Sequence, residues 1–334
     1  MTSSPASHPR ARTWLGAALR LGASGLILAL LFHFLPFEQL LEAVERVPLG
    51  LWLTALGGYL AAHAIGVLKW RLMINLAGAE LSFLQAARCY FTGLCATLFL
   101  PSIVGGDVVR LGLALRLARN RVGAVLGSVF DRLLDLTALV GVAAAGAIWL
   151  HSSLNAQSRK IFWMVAGGVT LVLVALLTVL TFVPSRRFPY RMRRHFARLR
   201  QAARSISRQP QYVALALGLG VTVQIGFVLL TAAIAAGCGL HVPLRAWLFA
   251  WPLAKLSALL PVTQGGLGVR EVALAALVAP FGAAPVLTVA VGLVWEAIIL
   301  AGGLLAGLAS FVLARAFAPG NVTTASVSSA PAEE

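Results

Sequence analysis

"LFLPSIVGGDVVRLGLAL", residues 98–115, interrupts an apolar run with Pro101, the pair Gly105 and Gly106, and the charges Asp107 and Arg110. Proline cannot continue a helix and adjacent glycines weaken one, so the chain is expected to break between Pro101 and Gly106. A second stretch repeats the pattern. "LPSIVGGDVVR" (100–110) aligns with "LPVTQGGLGVR" (260–270), and Pro101, Gly105, Gly106 and Arg110 recur 160 positions later as Pro261, Gly265, Gly266 and Arg270.

The surroundings of both stretches are hydrocarbon. Of 334 residues, 59% are hydrophobic and 11% charged, and the mean hydropathy is +0.88, outside the balance of a soluble domain. Apolar runs near 14–35, 49–68, 122–150, 161–183, 211–236 and 285–313 are each long enough to cross a bilayer, which predicts six spanning helices. The apolar segments 83–100 and 246–260 end at the two prolines and resume as short helical runs, so 83–118 and 244–281 each read as a broken hairpin. The first apolar run ends in the bulky "FHFLPF" and reads as a retained anchor instead of a cleaved signal.

Lysine and arginine concentrate on the cytoplasmic side of membrane proteins, which orients the chain. With residues 1–13 as a cytoplasmic tail, the 36–48 loop is external and Lys69, Arg71 and Arg88 return inside. Arg110, Arg116, Arg119 and Arg121 stay inside only if 83–118 enters and leaves by the same face. The basic 184–210 segment is then cytoplasmic, the 244–281 hairpin dips in from the outer face, and the 316–334 tail, low in complexity and read as disordered, is again cytoplasmic. Of the basic residues, Arg46, Arg159, Lys160 and Arg245 fall outside, and Arg132, Lys255 and Arg270 are embedded. The formal charge of +16 therefore marks topology and anionic lipid, with no nucleic-acid partner.

The repeat extends beyond the glycines. Segment 78–86 resembles 237–246, and Asp131 and Glu296 take comparable places in the long helix that follows each hairpin. The repeat units are about 49–150 and 211–313, joined by span 161–183 and the 184–210 segment, all within one transmembrane domain, 14–315. Because the hairpins enter from opposite faces, the units form an inverted repeat, a pattern found in transporters.

Irregular backbone at membrane depth must face protein or water. A helix starting at Gly105 or Gly266 presents unpaired amides and the positive end of its dipole, and Arg110 and Arg270 add bidentate donors, so the tips suit a phosphate or carboxylate. The candidate binding residues are Gly105, Gly106, Asp107, Arg110, Gly265, Gly266, Gly268, Arg270 and Glu271. Asp131, Arg132, Asp135, Glu296 and Lys255 are candidates for coupling or charge pairing. The alternative is a set of static struts: Asp107 with Arg110, Asp131 or Asp135 with Arg132, and Glu271 with a neighbour such as Lys255, which could instead snorkel outward.

Other features read more plainly. Lys69 and Arg71 in "LKWRLMINLAG" (68–78) are expected to anchor a cytoplasmic helix end. Met192, Phe196, Leu199, Ala203 and Ile206 form an apolar stripe in an arginine-rich segment, expected to lie on anionic lipid. The histidines form no cluster, Cys89, Cys95 and Cys238 lack metal-ligand spacing, and neither a metal nor another cofactor is expected. "NVT" at 321–323 matches a glycosylation sequon by accident if the tail is cytoplasmic.

The stretches "LKWRLMINLAG", "LPSIVGGDVVR", "VFDRLLD" (129–135) and "LPVTQGGLGVRE" (260–271) together resemble the transmembrane region of lysylphosphatidylglycerol synthase, a group of flippase-like membrane proteins, over residues 15–315. The resemblance implies a bacterial inner-membrane protein that moves a lipid or lipid-linked headgroup between leaflets. Fused members carry a soluble aminoacyl-transferase domain after this region. The present chain ends soon after its last span, so that activity is not expected of it. Asp131 stands where the resemblance leads one to expect an acid before arginine, often glutamate.

The reading is thus an all-α polytopic protein, not an enzyme, that translocates an anionic phosphate-bearing lipid, with lipids and a lipid-biosynthetic enzyme as candidate partners. The rivals are a membrane-embedded lipid-modifying transferase with Asp131 and Asp135 as metal ligands, and a non-transporting scaffold acting through the basic 184–210 surface.

Overall fold

The computed structural model describes residues 37–100, 103–150, 156–182, 190–258 and 268–316. They form α1 (Phe37–Glu45), α2 (Leu49–Leu76), α3 (Phe83–Ala96), α4 (Ile103–Leu117), α5 (Arg121–Trp149), α6 (Ala156–Phe182), α7 (Tyr190–Ser207), α8 (Pro210–Gly237), α9 (Leu244–Ser257), α10 (Val269–Val278) and α11 (Pro285–Ala316). A short 3-10 turn, Ala279–Phe281, precedes α11. The chain is all-α over these residues.

Helices α2, α5, α8 and α11 (to Arg315) are long and apolar enough to span a membrane. Between 28% and 33% of each one's most apolar stretch is buried inside the protein, so the remaining apolar surface faces outward. Leu53, Ile148, Leu229, Leu304, Leu308 and Phe311 lie on that outer surface. Hydrocarbon is the surrounding in which such a surface is stable, and the protein is a multi-pass membrane protein.

The expected span at 161–183 corresponds to α6, whose inner residue Phe162 stacks at 6.4 Å from Phe249 of α9. The expected span at 14–35 lies outside the described residues, as do Pro101, Pro261, Gly265, Gly266 and the sequon.

The long helices pack as two related sets. In the first, α2 and α5 flank the hairpin α3–α4; in the second, α8 and α11 flank α9–α10. Each hairpin's first arm packs on the final helix of the other set, α3 on α11 and α9 on α5. Helices α2 and α8 are antiparallel neighbours: Gly237 at the end of α8 meets Leu51 near the start of α2, and Ser205 just before α8 donates to the Leu76 carbonyl at 2.9 Å.

The hairpins are short and enter from opposite ends of this frame. Arm α3 begins beside the C-terminus of α2, where Asn75 bonds both the N–H and C=O of Leu81 (2.8 and 2.9 Å), and Ser82 and Gln85 cap its N-terminus reciprocally. It ends with Leu98 against Gly303, next to the contact of Gly302 with Tyr59, partway along α2. Arm α9 starts beside the other end of the frame, with Phe249 against Gly146 of α5, and Lys255 near its tip bonds Gln224 at the middle of α8. Both first arms therefore end about halfway along the spanning helices.

Four expectations change locally. The 36–48 loop contains the helix α1, because Leu40, Ala43 and Val47 recur at helical spacing and bury themselves against the core, with α11 alongside. Helix α2 runs eight residues past the expected end at 68, since Trp70, Met73 and Ile74 continue its buried face. In α7, Leu199, Ala202, Ala203 and Ile206 pack against Met73, Ala77 and Ala216 of the protein, so that part of the stripe faces α2 and α8 instead of lipid. Side-chain placements of Met192 and Phe196 fall outside the description.

The fourth change concerns the helix tips. Helix α4 starts at Ile103, which puts Gly105 and Gly106 within its first turns, not at its exposed end. Gly106 instead permits a close helix crossing: a Cβ on it would lie 2.5 Å from the Gly93 carbonyl oxygen, and one on Gly93 would lie 2.7 Å from that of Gly106. Helix α10 begins after Gly268, whose φ of +83° suits glycine and whose N–H is taken by Glu271 Oε2 at 2.8 Å.

Candidate functional site

Between the halting hairpins and the four long helices lies a cavity of about 620 Å³. Apolar groups such as Leu94, Leu139, Val223, Phe227, Trp295 and Leu300 make up much of its lining. Into this lining project Lys69, Asp107, Arg110, Asp131, Arg132, Asp135, Lys255, Arg270 and Glu296. Charges at this depth are costly unless paired, roughly 2.5–3.5 kcal/mol each on insertion scales, and the pairing is extensive.

In the first half the pairing closes on itself. Lys69 Nζ lies 2.8 Å from Asp131 and 2.6 Å from Asp135; Arg110 lies 3.1 Å from Asp107 and 3.5 Å from Asp131; Arg132 pairs with Asp107 and, at 3.8 Å, with Asp135. Each cation touches two carboxylates and each carboxylate two cations, so three helices, α2, α4 and α5, are tied into one ring. The guanidinium of Arg110 also stands over Trp70 at 4.9 Å and Tyr90 at 5.1 Å, and Trp70 is fixed to α5 through Ser128 at 3.1 Å.

In the second half, Arg270 donates from Nε (3.0 Å) and Nη2 (2.6 Å) to Glu271 and from Nη2 to Glu296 (3.0 Å), over the ring of Trp251 at 5.8 Å. Two carboxylates thus share one guanidinium. Lys255 stands apart: its ammonium donates to the neutral Gln224 amide at 3.0 Å and lies 4.5 Å over Phe227, with no carboxylate in ion-pair range among the described residues. Its charge offsets the surplus carboxylate. Counting Glu271 with the lining groups, cations and carboxylates balance.

Hydrogen-bonding capacity is less even than charge. Among the described residues three buried side-chain atoms lack a hydrogen-bond partner: the donors Arg110 Nε and Trp251 Nε1, whose residues are only 6% and 2% exposed, and the acceptor Asp131 Oδ1, which lies in ion-pair range of Lys69 at 2.8 Å. Both donors line the cavity, as does the Lys255 ammonium. An unpaired buried donor costs about 1–3 kcal/mol, so these groups suit an acceptor brought in from outside.

A model of the lysylphosphatidylglycerol synthase transmembrane region matches residues 17–307. The chain belongs to this family. No curated protein gives a match. Family membership ties the cavity to a lipid-related membrane protein, and the matched region contains every residue of the charge network.

Within this family member the sequence reading located most of the network. Asp107, Arg110, Asp131, Arg132, Asp135, Arg270, Glu271 and Glu296 converge as expected of groups facing inward, and Lys255 reaches the cavity instead of snorkelling out. Glu271 pairs with its neighbour Arg270, not with Lys255, because its other oxygen is committed to the Gly268 amide on the same turn.

Lys69 corrects the reading most. It is 3% exposed and bridges Asp131 and Asp135, since α2 continues seven residues beyond it and carries it below the helix end. Its signal was the length of the apolar pattern after it. His63 was assigned no role, yet its Nδ1 meets the Tyr90 hydroxyl at 3.2 Å and its ring packs on Tyr59 at 4.4 Å on the cavity wall. Gln224 and Trp251 have no local sequence signal and are found only through packing.

Proposed function

We propose that this protein translocates an anionic, phosphate-bearing lipid or lipid-linked headgroup between membrane leaflets, holding the headgroup in the central cavity while the acyl chains stay in the bilayer. The observation that carries the reading is the excess of spare donors: Arg110 Nε, Trp251 Nε1 and the Lys255 ammonium have capacity to donate, whereas the one buried carboxylate oxygen without a hydrogen bond, Asp131 Oδ1, already faces the Lys69 ammonium at 2.8 Å. A phosphate supplies the missing acceptors.

In this reading α3–α4 and α9–α10 are re-entrant hairpins of an inverted repeat, six spans cross a bacterial inner membrane, and both termini are cytoplasmic. Alternating exposure of the two halves carries the headgroup across. The Lys69 ammonium fills the space between Asp131 and Asp135 that a metal-dependent transferase would need for its cation, so translocation is the better supported reading.

Leaflet exchange in proteoliposomes tests it, with fluorescent phosphatidylglycerol and a labelled polyprenyl phosphate as probes. Exchange is expected with wild type and is expected to fall with Lys255→Met and with Trp251→Phe, which removes the indole donor and keeps most of the ring. Exchange no faster than in protein-free vesicles for every probe overturns the proposal.

A further inference from the structure

We propose that binding of a monoanionic headgroup in the cavity is coupled to uptake of one proton by Glu296, a step that rests on the anionic-ligand reading above. Charge balance in the cavity calls for the proton. With Glu296 ionised, the embedded cations and carboxylates already cancel, and they sit between apolar walls where an uncompensated charge is strongly disfavoured. A phosphodiester entering this space to meet the free donors of Arg110 and Trp251 brings one negative charge too many. A proton from the aqueous phase restores neutrality.

The geometry selects the carboxylate that takes it. Asp107, Asp131 and Asp135 each contact two cations, and protonating any of them breaks the ring. Glu271 is engaged through both oxygens, one by Arg270 and the other by the Gly268 amide. Glu296 is held through one oxygen only, at 3.0 Å, and its side chain is 18% exposed, toward the cavity. Once protonated, it leaves Arg270 still paired with Glu271.

Each helix around Glu296 brings its own titratable or polar groups. Helix α10 supplies Arg270 and Glu271, α9 supplies Lys255, α2 supplies Tyr59 and His63, and α3 supplies Tyr90 on the same cavity wall. Helix α8 contributes the neutral Gln224, and the acidic residues of α1 together with Arg46 lie exposed on its outer side. None of these is a second carboxylate free to take the proton.

Calorimetric titration of the full-length protein in neutral detergent with short-chain phosphatidylglycerol tests this, in two buffers of different ionisation enthalpy and over a range of pH. We expect uptake of close to one proton per lipid and an affinity that falls about tenfold per pH unit as pH rises, because the bound state holds the extra proton. Glu296→Gln, which carries the protonated form's charge permanently, should bind without proton uptake and with no pH slope; Glu296→Asp should restore both. Binding by wild type without proton uptake, or uptake that persists in Glu296→Gln, overturns this inference and leaves the anionic-ligand reading intact. Failure of wild type to bind at any pH overturns that reading as well.

Discussion

The two halves of the cavity start from the same motif and reach different electrostatic solutions. Arg110 and Arg270 hold equivalent places after their glycine pairs, and each stacks on an aromatic side chain of its own hairpin's first arm, Tyr90 or Trp251. Each also meets an acid from the following long helix, Asp131 at 3.5 Å or Glu296 at 3.0 Å. Beyond that the symmetry stops. The first half recruits Lys69 and Arg132 and closes its charges into a ring; the second leaves one carboxylate in surplus and one cation, Lys255, bonded to an amide. A closed ring resists change, whereas an open one has somewhere for a ligand or a proton to go. We therefore assign the ion-pair ring of the first half a structural role, with Arg110 Nε its one contribution to the ligand, and the second half the working role.

The sharpest way to break this contrast is Asp131→Ala. It leaves Lys69 and Arg110 each short of a partner in a buried site, and unfolding in micelles is expected to show a loss of about 3–5 kcal/mol. A loss no larger than that of a second-half carboxylate would refute the assignment.

Lys255→Met should do the reverse. Methionine retains the apolar stem over Phe227, and the carboxylate left in surplus can take a proton at Glu296, so stability is expected to change by less than about 1.5 kcal/mol. Phosphatidylglycerol binding should weaken about tenfold to a hundredfold, the usual weight of a hydrogen bond to a charged group.

Hairpin rigidity in the first half can be probed by Gly106→Ala, which forces its methyl against the Gly93 carbonyl and is expected to cost about 1–3 kcal/mol. Gly112→Ala, with open space around it on the same helix, should be neutral or stabilise by up to about 1 kcal/mol. Equal effects at the two sites would remove the close crossing as a source of rigidity. The smallest change is expected for Glu296→Gln, at about 1 kcal/mol or less in the same unfolding assay, because Arg270 keeps Glu271.

Much of the frame was legible in the chain. Apolar run length located α2, α5, α8 and α11 to within a few residues, apart from the C-terminal extension of α2, and the expected interruptions near 101 and 261 fall in sequence between α3 and α4 and between α9 and α10. Pairing partners were less legible. Arg110 with Asp107 is a one-turn neighbour and can be foreseen, but Lys69 lies 62 residues from Asp131 and reads in the sequence as an anchor of a helix end. The pair Gly105 and Gly106 reads in the sequence as a break and a ligand tip, whereas both lie inside α4, and only the crossing with α3 shows what the missing side chain of Gly106 makes room for.

By itself, then, the sequence determined that this is an all-α membrane protein with two broken, arginine-bearing hairpins, since bilayer thickness sets helix length and a buried charge in hydrocarbon demands company. The tertiary structure alone decided what that company is. Lys69 completes a ring and Lys255 does not, because ion pairing depends on distances of a few ångströms between helices, and those are set by the packing of α2 on α5 and of α9 on α8.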